Sequence, residues 1–228
     1  ATDAETLEIL GDYGLHLLTS LPVTLLAEAT DAAGRLGWDV VLKATVRAAR
    51  GRPDMPNVSR HLGDADELAR AWAHLDRLAV SLGAHSAADI APVVQRTVED
   101  GMPLTVRAIE DRALGPMVCV GVAGPPAELL GDVAWRAAPI DRDEGFSMLG
   151  TLRAAPLLEG YRGSPPAQWF TIVDVLVRLS ALKADLPEVV EVDFTPVLAG
   201  PHGTTIVGAR LRVAPALRQR DPLARRAT

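Results

Sequence analysis

Lysine is almost absent from this sequence. Lys43 and Lys183 are the two lysines among 23 basic residues in a chain of 228. That bias toward arginine points to a GC-rich coding sequence and carries no functional meaning. Aromatic residues are scarce at 4%, although 48% of the chain is hydrophobic, so the core must be built mainly from Leu, Val and Ala. A single cysteine, Cys119, excludes an internal disulfide. It stands in the apolar run "GPMVCVGVAG" and is expected in the core, where free cysteines usually lie. No apolar run reaches membrane-spanning length, and no charged-then-apolar leader opens the chain. A soluble cytoplasmic protein without a membrane partner is therefore expected. The net charge of −6 argues against a general nucleic-acid surface. The length suits one large domain or two small lobes with a real core.

What is present alternates strand and helix at first. "AETLEILGDYG" reads as a short amphipathic helix ending at Gly14, and "LHLLTSLPV" as a strand stopped by Pro22. "TLLAEATDAAGRLG" reads as a helix with Thr24 as N-cap candidate, and "WDVVLKATV" as a strand buried in a sheet. "DADELARAWAHLDRLAVSLG" is a helix, because Leu68, Trp72, Leu75 and Leu78 recur at helical spacing. After Gly83 the style changes. "APVVQRTV", "MPLTVRAIED" and "GPMVCVGVAG" read as strands joined by hairpin-type turns at "EDG" and "RALG". "DVAWRAAPI" is a fourth strand, and "DRDEGFSMLGTL" a helix with an acidic start. "PPAQWFTIVDVLVRLSALKADLP" is a largely buried helix opening on proline. The polar tail "LRQRDPLARRAT" is expected to fray. The fold class is α+β in two lobes, with a boundary near residues 83 to 92.

"EVDFTPVLAGPHGTTIVGARLRV" closes this pattern as two strands around a Gly-Pro-Gly turn. Glu191 and Asp193 look like the acidic half of a metal site. The returning strand offers Thr204, Thr205, Gly208 and two arginines instead of the other half.

The stretches "YGLHLLTS", "AGRLGWDVVLKA", "VVQRTVEDG", "LGPMVCVGVAG", "AELLGDVAWRAAPI", "RAAPLLEGYRGSPP" and "EVDFTPVLAG" occur in a telling order. Together they resemble the ATP-grasp domain of the NDP-forming acyl-CoA synthetases, related to the β subunit of succinyl-CoA synthetase. The resemblance spans almost the whole chain. It implies a two-lobed ATP-grasp fold, with residues 1–88 as an α/β first lobe and residues 89–228 as a second lobe of antiparallel sheet plus helices. Lys43 and Asp193 would then stand on opposite sides of a cleft. The abrupt N-terminus and the family-like end imply a C-terminal fragment of a longer protein. In many relatives the synthetase modules are fused to a protein lysine acetyltransferase. CoA-binding and acetyltransferase modules of the same chain are therefore the implied partners.

An ATP-grasp site needs cations on the phosphates, backbone groups for adenine and oxygen ligands for magnesium. The resemblance carries these over onto particular residues. Lys43 matches the phosphate-binding lysine, and a lysine snorkelling from a strand end is the plainer alternative. Main-chain groups from Gln95 through Arg96 to Val98 match the adenine hinge, and an ordinary inter-lobe strand is the equal alternative. Glu128, Asp132 and Arg136 match acidic and basic positions beside the cleft, against a solvated polar edge.

Other positions depart from the family. Pro103 stands where a glutamate would face the ribose. "GRPDMPNV" stands where a His-Lys-Ser-Asp motif and two glycines would lie: Gly51 replaces the phosphate-carrying histidine, and Asp54 and Val58 remain. His61 is expected to be a surface or packed strand residue. Thr195 replaces a metal-binding asparagine, and Gly208 an aspartate. Glu191 and Asp193 are read as a strand-end carboxylate and an ion-paired neighbour, at least one of them turned away from any shared site. The reading is therefore a degenerate domain with no catalytic residue and no metal site. Lys43, Asp54, Gln95, Arg96, Val98, Glu128, Arg136 and Asp193 are its vestigial nucleotide positions. No cofactor is expected to bind strongly: weak ATP binding stays open, and magnesium binding is not expected. An active ATP-dependent acyl-CoA synthetase domain with substitute ligands is the alternative.

Overall fold

The computed structural model describes residues 3–49, 55–99, 101–124 and 129–216. Gly51, Asp54 and Glu128 lie outside the described residues. The chain forms two compact units. One runs from Leu18 to Val98; the other joins the residues up to Leu17 with those from Glu99 onward. This division differs from the boundary near residues 83 to 92 at both ends. The first helix belongs with the C-terminal unit because Leu10 and Leu15 are buried in that unit's core. The strand at residues 92–96 belongs with the N-terminal unit because its partners are there.

The Leu18–Val98 unit is a four-stranded sheet with two helices. Its strands are β1 (Ser20–Pro22), β2 (Val40–Ala44), β3 (Val58–Leu62) and β4 (Pro92–Arg96), in the order β1-β4-β2-β3. Every pairing is antiparallel, although β2 is nearly all apolar as parallel strands tend to be. Helix α2 (Leu26–Leu36) packs on β4, and α3 (Ala65–Ser81) packs on β2 and β3. The buried residues of α3, Leu68, Ala71, Trp72, Leu75, Leu78 and Ala79, follow the spacing read from the sequence. Asp64 caps α3 by accepting from the Glu67 N–H at 2.8 Å. At α2 the cap falls one residue later than Thr24. The Glu28 carboxylate reaches back to the Thr24 N–H at 2.7 Å and the Leu25 N–H at 3.3 Å.

The second unit begins with α1 (Asp3–Asp12) and is dominated by one sheet in the order β10-β8-β5-β6-β7. Its strands are β5 (Met102–Asp111), β6 (Gly115–Val122), β7 (Val133–Ala137), β8 (Val189–Gly200), β9 (Gly203–Ile206) and β10 (Ala209–Val213), with β9 paired to β8 beyond β10. The segment "EDG" is therefore not a hairpin turn, since β4 and β5 lie in different sheets. The turn at "RALG" does join paired strands. Helices α4 (Arg142–Thr151) and α6 (Trp169–Asp185) pack on this sheet, with the short α5 (Ala155–Leu158) between them in sequence. The α6 helix begins after Gln168 rather than at the preceding prolines.

Alternation decides which face is core. On β5, Leu104, Val106 and Ala108 are fully buried; on β8, Val192 and Phe194 are. Thr105, Arg107, Glu191, Asp193 and Thr195 therefore occupy the other face. The register of β5 against β8 shifts between Leu104 and Val106, so Thr195 and Pro196 together oppose Thr105. That bulge inverts the phase of β8, and beyond it Val197 and Ala199 become the buried positions. One ion pair lies inside the helix-covered layer. Lys183 of α6 meets Glu110 of β5, with side chains 0% and 5% exposed. Among the described residues, no helix is long and apolar enough to cross a membrane.

Candidate functional site

The open face of the second sheet holds a hollow of about 320 Å³. Thr105, Arg107, Asp132, Trp135, Asp193 and Thr195 line it. Strand register explains why these residues meet. One row crosses the sheet through Arg210, Asp193, Arg107, Cys119 and Trp135. A second row contains Arg212, Glu191, Ile109 and Met117. A third contains Thr105, Gly121 and Val133, with Thr195 beside Thr105. Cross-strand partners share a face, so each row presents its side chains to the same side. Gly121 is required here because a Cβ would stand 2.7 Å from the Asp132 carbonyl oxygen.

Glu191 and Asp193 do not turn apart. Residues i and i+2 of a strand share a face, and both carboxylates face Arg107. Glu191 accepts from Arg107 Nη2 at 2.9 Å and from Arg212 Nε at 3.2 Å. Partial burial acts to raise the Glu191 pKa, but the two arginines outweigh it and hold the carboxyl below its usual range. Asp193 Oδ1 accepts from Thr195 Oγ1 at 2.8 Å and stands 4.0 Å from Arg107 Nε. Arg107 Nε is buried and has no hydrogen-bond partner among the described residues. Cys119 sits on the floor, 3% exposed, and burial pushes its thiol pKa up to about 12 against the opposing pull of Arg107.

Thr195 and Gly208 meet where the β8–β10 ladder runs one pair past Phe194 and Ala209. The Thr195 N–H donates to the Gly208 carbonyl at 3.2 Å. Thr195 contributes a neutral hydroxyl on the open face, and Gly208 contributes no side chain. Among the described residues, no three His, Cys, Asp or Glu side chains converge in a group that could hold a metal ion.

The other residues singled out from the sequence fall elsewhere. Asp132 lines the hollow, but its oxygens accept the Arg153 and Ala154 N–H groups at 2.8 and 2.9 Å. That capping fixes the start of α5. Arg136 shares the face of buried Ala134 rather than that of Trp135, and its Nη1 donates to the Trp135 carbonyl at 2.8 Å. In the other unit, Lys43 is half-buried on β2 between Val58 and Val93. Gln95 is 2% exposed, and its side-chain amide donates to Ser20 Oγ. Arg96 is exposed at the end of β4, and Val98 is half-buried. His61 is an exposed strand residue whose Nδ1 lies 3.2 Å from Asp39 Oδ1. Arg107 was not visible as a site residue in the sequence. The available signal was an arginine two positions after Thr105, on the same face of the strand.

The family model described as an ATP-grasp domain matches residues 1–213. The chain belongs to the ATP-grasp family. Within it, this ATP-grasp domain is similar to the acetate–CoA ligase [ADP-forming] I of Archaeoglobus fulgidus, at 35% identity over 209 residues. That match covers 91% of this chain and 30% of the relative, so the chain spans about a third of that ligase. It is also similar to the β subunit of acetate–CoA ligase [ADP-forming] I of Pyrococcus furiosus, at 28% identity, covering 92% of this chain and 90% of the subunit. Among solved structures it resembles the dinucleotide-forming acetyl-coenzyme A synthetase 1 of Ca. Korarchaeum cryptofilum, in complex with coenzyme A, Ca-AMPCP and HgCl+. The TM-score is 0.79 at 27% identity, covering 91% of this chain and 90% of that one. The chain is thus an ATP-grasp domain of the ADP-forming acyl-CoA synthetase family, matching the region of the β subunit.

Proposed function

We propose that this is a degenerate ATP-grasp domain with a structural or regulatory role in a longer, acyl-CoA-synthetase-like protein. One observation carries the reading: Thr195 and Gly208 stand side by side at the positions that the family resemblance assigns to metal ligands. A magnesium ion takes six oxygens in near-octahedral geometry and relies on carboxylates from the protein. Here Glu191 is committed to Arg107 and Arg212, and Asp193 is flanked in register by Arg107 and Arg210. That donor set does not fit a hard dication. Gly51 and Pro103 add two further departures, at the phosphate carrier and the ribose contact. Such losses typically cost several orders of magnitude in rate.

The implied partners are CoA-binding and acetyltransferase modules of the same chain, with no nucleic acid and no membrane, in the cytoplasm. The test is an assay of the full-length protein for CoA- and acyl-dependent release of ADP from ATP. No release above background is expected. Turnover at a rate typical of ligases would instead support an active synthetase with substitute ligands.

A further inference from the structure

We propose that the outer face of the helix layer, around Phe146, Phe170 and Tyr161, docks another module of the same longer protein. This rests on the reading of the chain as one domain of such a protein, and it names the surface that holds the domain there. The face lies away from the hollow, because α4 and α6 cover the opposite side of the second sheet.

Aromatic exposure is the first support. The chain has three phenylalanines and two tyrosines. Phe194 is fully buried, but Phe146 is 39% exposed, Phe170 57% and Tyr161 49%. In a chain so short of aromatics, the core is where burying them stabilises the fold most. Three of these five are instead exposed on or beside one helix layer.

Their packing is the second support. Gly145 of α4 lies against Val173 of α6, where a Cβ would stand 2.8 Å from Val173 Cγ1. That close approach brings Phe146 and Phe170 onto one surface with Arg142. The Arg142 guanidinium lies 5.5 Å from the Phe170 ring centroid, and Phe146 is one turn further along α4 on the same face. The loop between α5 and α6 adds a second stack, with Arg162 at 5.4 Å from the Tyr161 ring centroid. This loop is closed at its base, where the Ala167 N–H donates to the Leu158 carbonyl at 2.8 Å, three residues before Phe170. Arg162 has a φ of 51°, and a Cβ on Gly160 would stand 2.9 Å from the Ser164 carbonyl oxygen. A bulky residue keeps left-handed backbone only where its surroundings fix it. Tyr161 and Arg162 are thus held in place before any partner arrives, which lowers the ordering cost of binding. Aromatic residues and arginine are the types enriched at protein interfaces.

Size decides the kind of partner. An aromatic side chain buries roughly 150–250 Å² when fully covered, so at these exposures the three leave on the order of 300 Å² open. A stable complex between free proteins needs about 800 Å² on each partner. A smaller patch suits a partner that is already tethered, whose effective concentration makes up for the limited contact. The segment matched here is about a third of the Archaeoglobus fulgidus ligase, so most of that relative lies outside it. Arg162 has no ion-pair partner among the described residues, so the docking face of the module should be apolar with a carboxylate opposite Arg162.

The test is photocrosslinking in the full-length protein with p-benzoylphenylalanine in place of Phe170. Irradiation is expected to join residue 170 to one peptide in another module of the same molecule. Crosslinks between two copies or to a different protein would overturn the proposal, and so would the absence of any crosslink. Limited proteolysis of the full-length protein gives a second reading. Phe146→Glu combined with Phe170→Glu should speed cleavage between modules at least fivefold; an unchanged rate would contradict the docking role. Should that pair unfold the domain, Arg162→Glu alters one exposed charge and should speed the same cleavage at least twofold. If the full-length protein holds no further module, the proposed function fails together with this proposal. If modules are present and do not crosslink, the docking face alone fails. ADP release in the ligase assay would overturn the degenerate reading and leave the docking face standing.

Discussion

Thr195 and Gly208 are neighbours across two strands. The Thr195 N–H donates to the Gly208 carbonyl at 3.2 Å, and a Cβ placed on Gly208 would come within 3.2 Å of the Thr195 carbonyl oxygen. Crystals soaked in Mn²⁺ are therefore expected to show no anomalous peak between them. A well-occupied octahedral ion there would refute the proposed loss of the metal site. Restoring the family-like side chains with Thr195→Asn and Gly208→Asp should create measurable Mn²⁺ binding by electron paramagnetic resonance. The added Cβ at residue 208 needs a shift of only a few tenths of an ångström.

The buried pair of Lys183 and Glu110 should behave as an all-or-none unit. Removing one partner strands the other charge in the buried layer between the sheet and α6. Lys183→Met or Glu110→Gln should each cost on the order of 3–5 kcal/mol in denaturant unfolding. Combining Lys183→Met with Glu110→Leu should recover most of that loss, because neither charge remains to be desolvated. A double variant as unstable as the sum of the singles would contradict this account.

Glu191 gives a pH signature. Its folded-state pKa lies below the ordinary glutamate value of 4.5, because hydrogen bonds from Arg107 and Arg212 outweigh burial. A depressed carboxyl stabilises the fold above its unfolded pKa, and that contribution is lost as pH falls through the folded value. Unfolding midpoints measured from pH 7 down to pH 3 should fall less steeply in Glu191→Gln than in the parent sequence. Parallel curves would mean that Glu191 contributes no pH-dependent stability.

Cys119 should be inert while the fold is intact. With its thiol pushed up to about 12 and buried on the floor of the hollow, almost no thiolate exists at pH 8. Maleimide labelling at that pH should be slow in buffer and fast in denaturant. Rapid labelling of the native chain would show that the floor opens readily.

The strands and helices were largely legible because their signals are local. The recurrence of Leu68, Trp72, Leu75 and Leu78 marked α3, and the carboxylates of Asp141, Asp143 and Glu144 marked the start of α4. What the sequence concealed depends on long-range pairing. Whether "EDG" closes a hairpin is decided by the partners of β4 and β5, and those partners lie in different sheets. The site was legible only at positions with a family counterpart, such as Thr195 and Gly208. Arg107 was missed because its importance comes from register. It sits opposite Asp193 on one side and Cys119 on the other, which no spacing within "LTVRAIE" discloses. Glu191 and Asp193 share a face because a strand period of two unites residues i and i+2 rather than dividing them.

The most direct test of the central claim is calorimetric titration of the chain with ATP, with and without Mg²⁺, in the parent sequence and in Lys43→Ala. On the proposed loss of the metal ligands, the dissociation constant should be roughly millimolar or weaker, about −4 kcal/mol of binding, and Mg²⁺ should barely alter it. A micromolar constant that requires Mg²⁺ and disappears in Lys43→Ala would show a working nucleotide site and contradict the account.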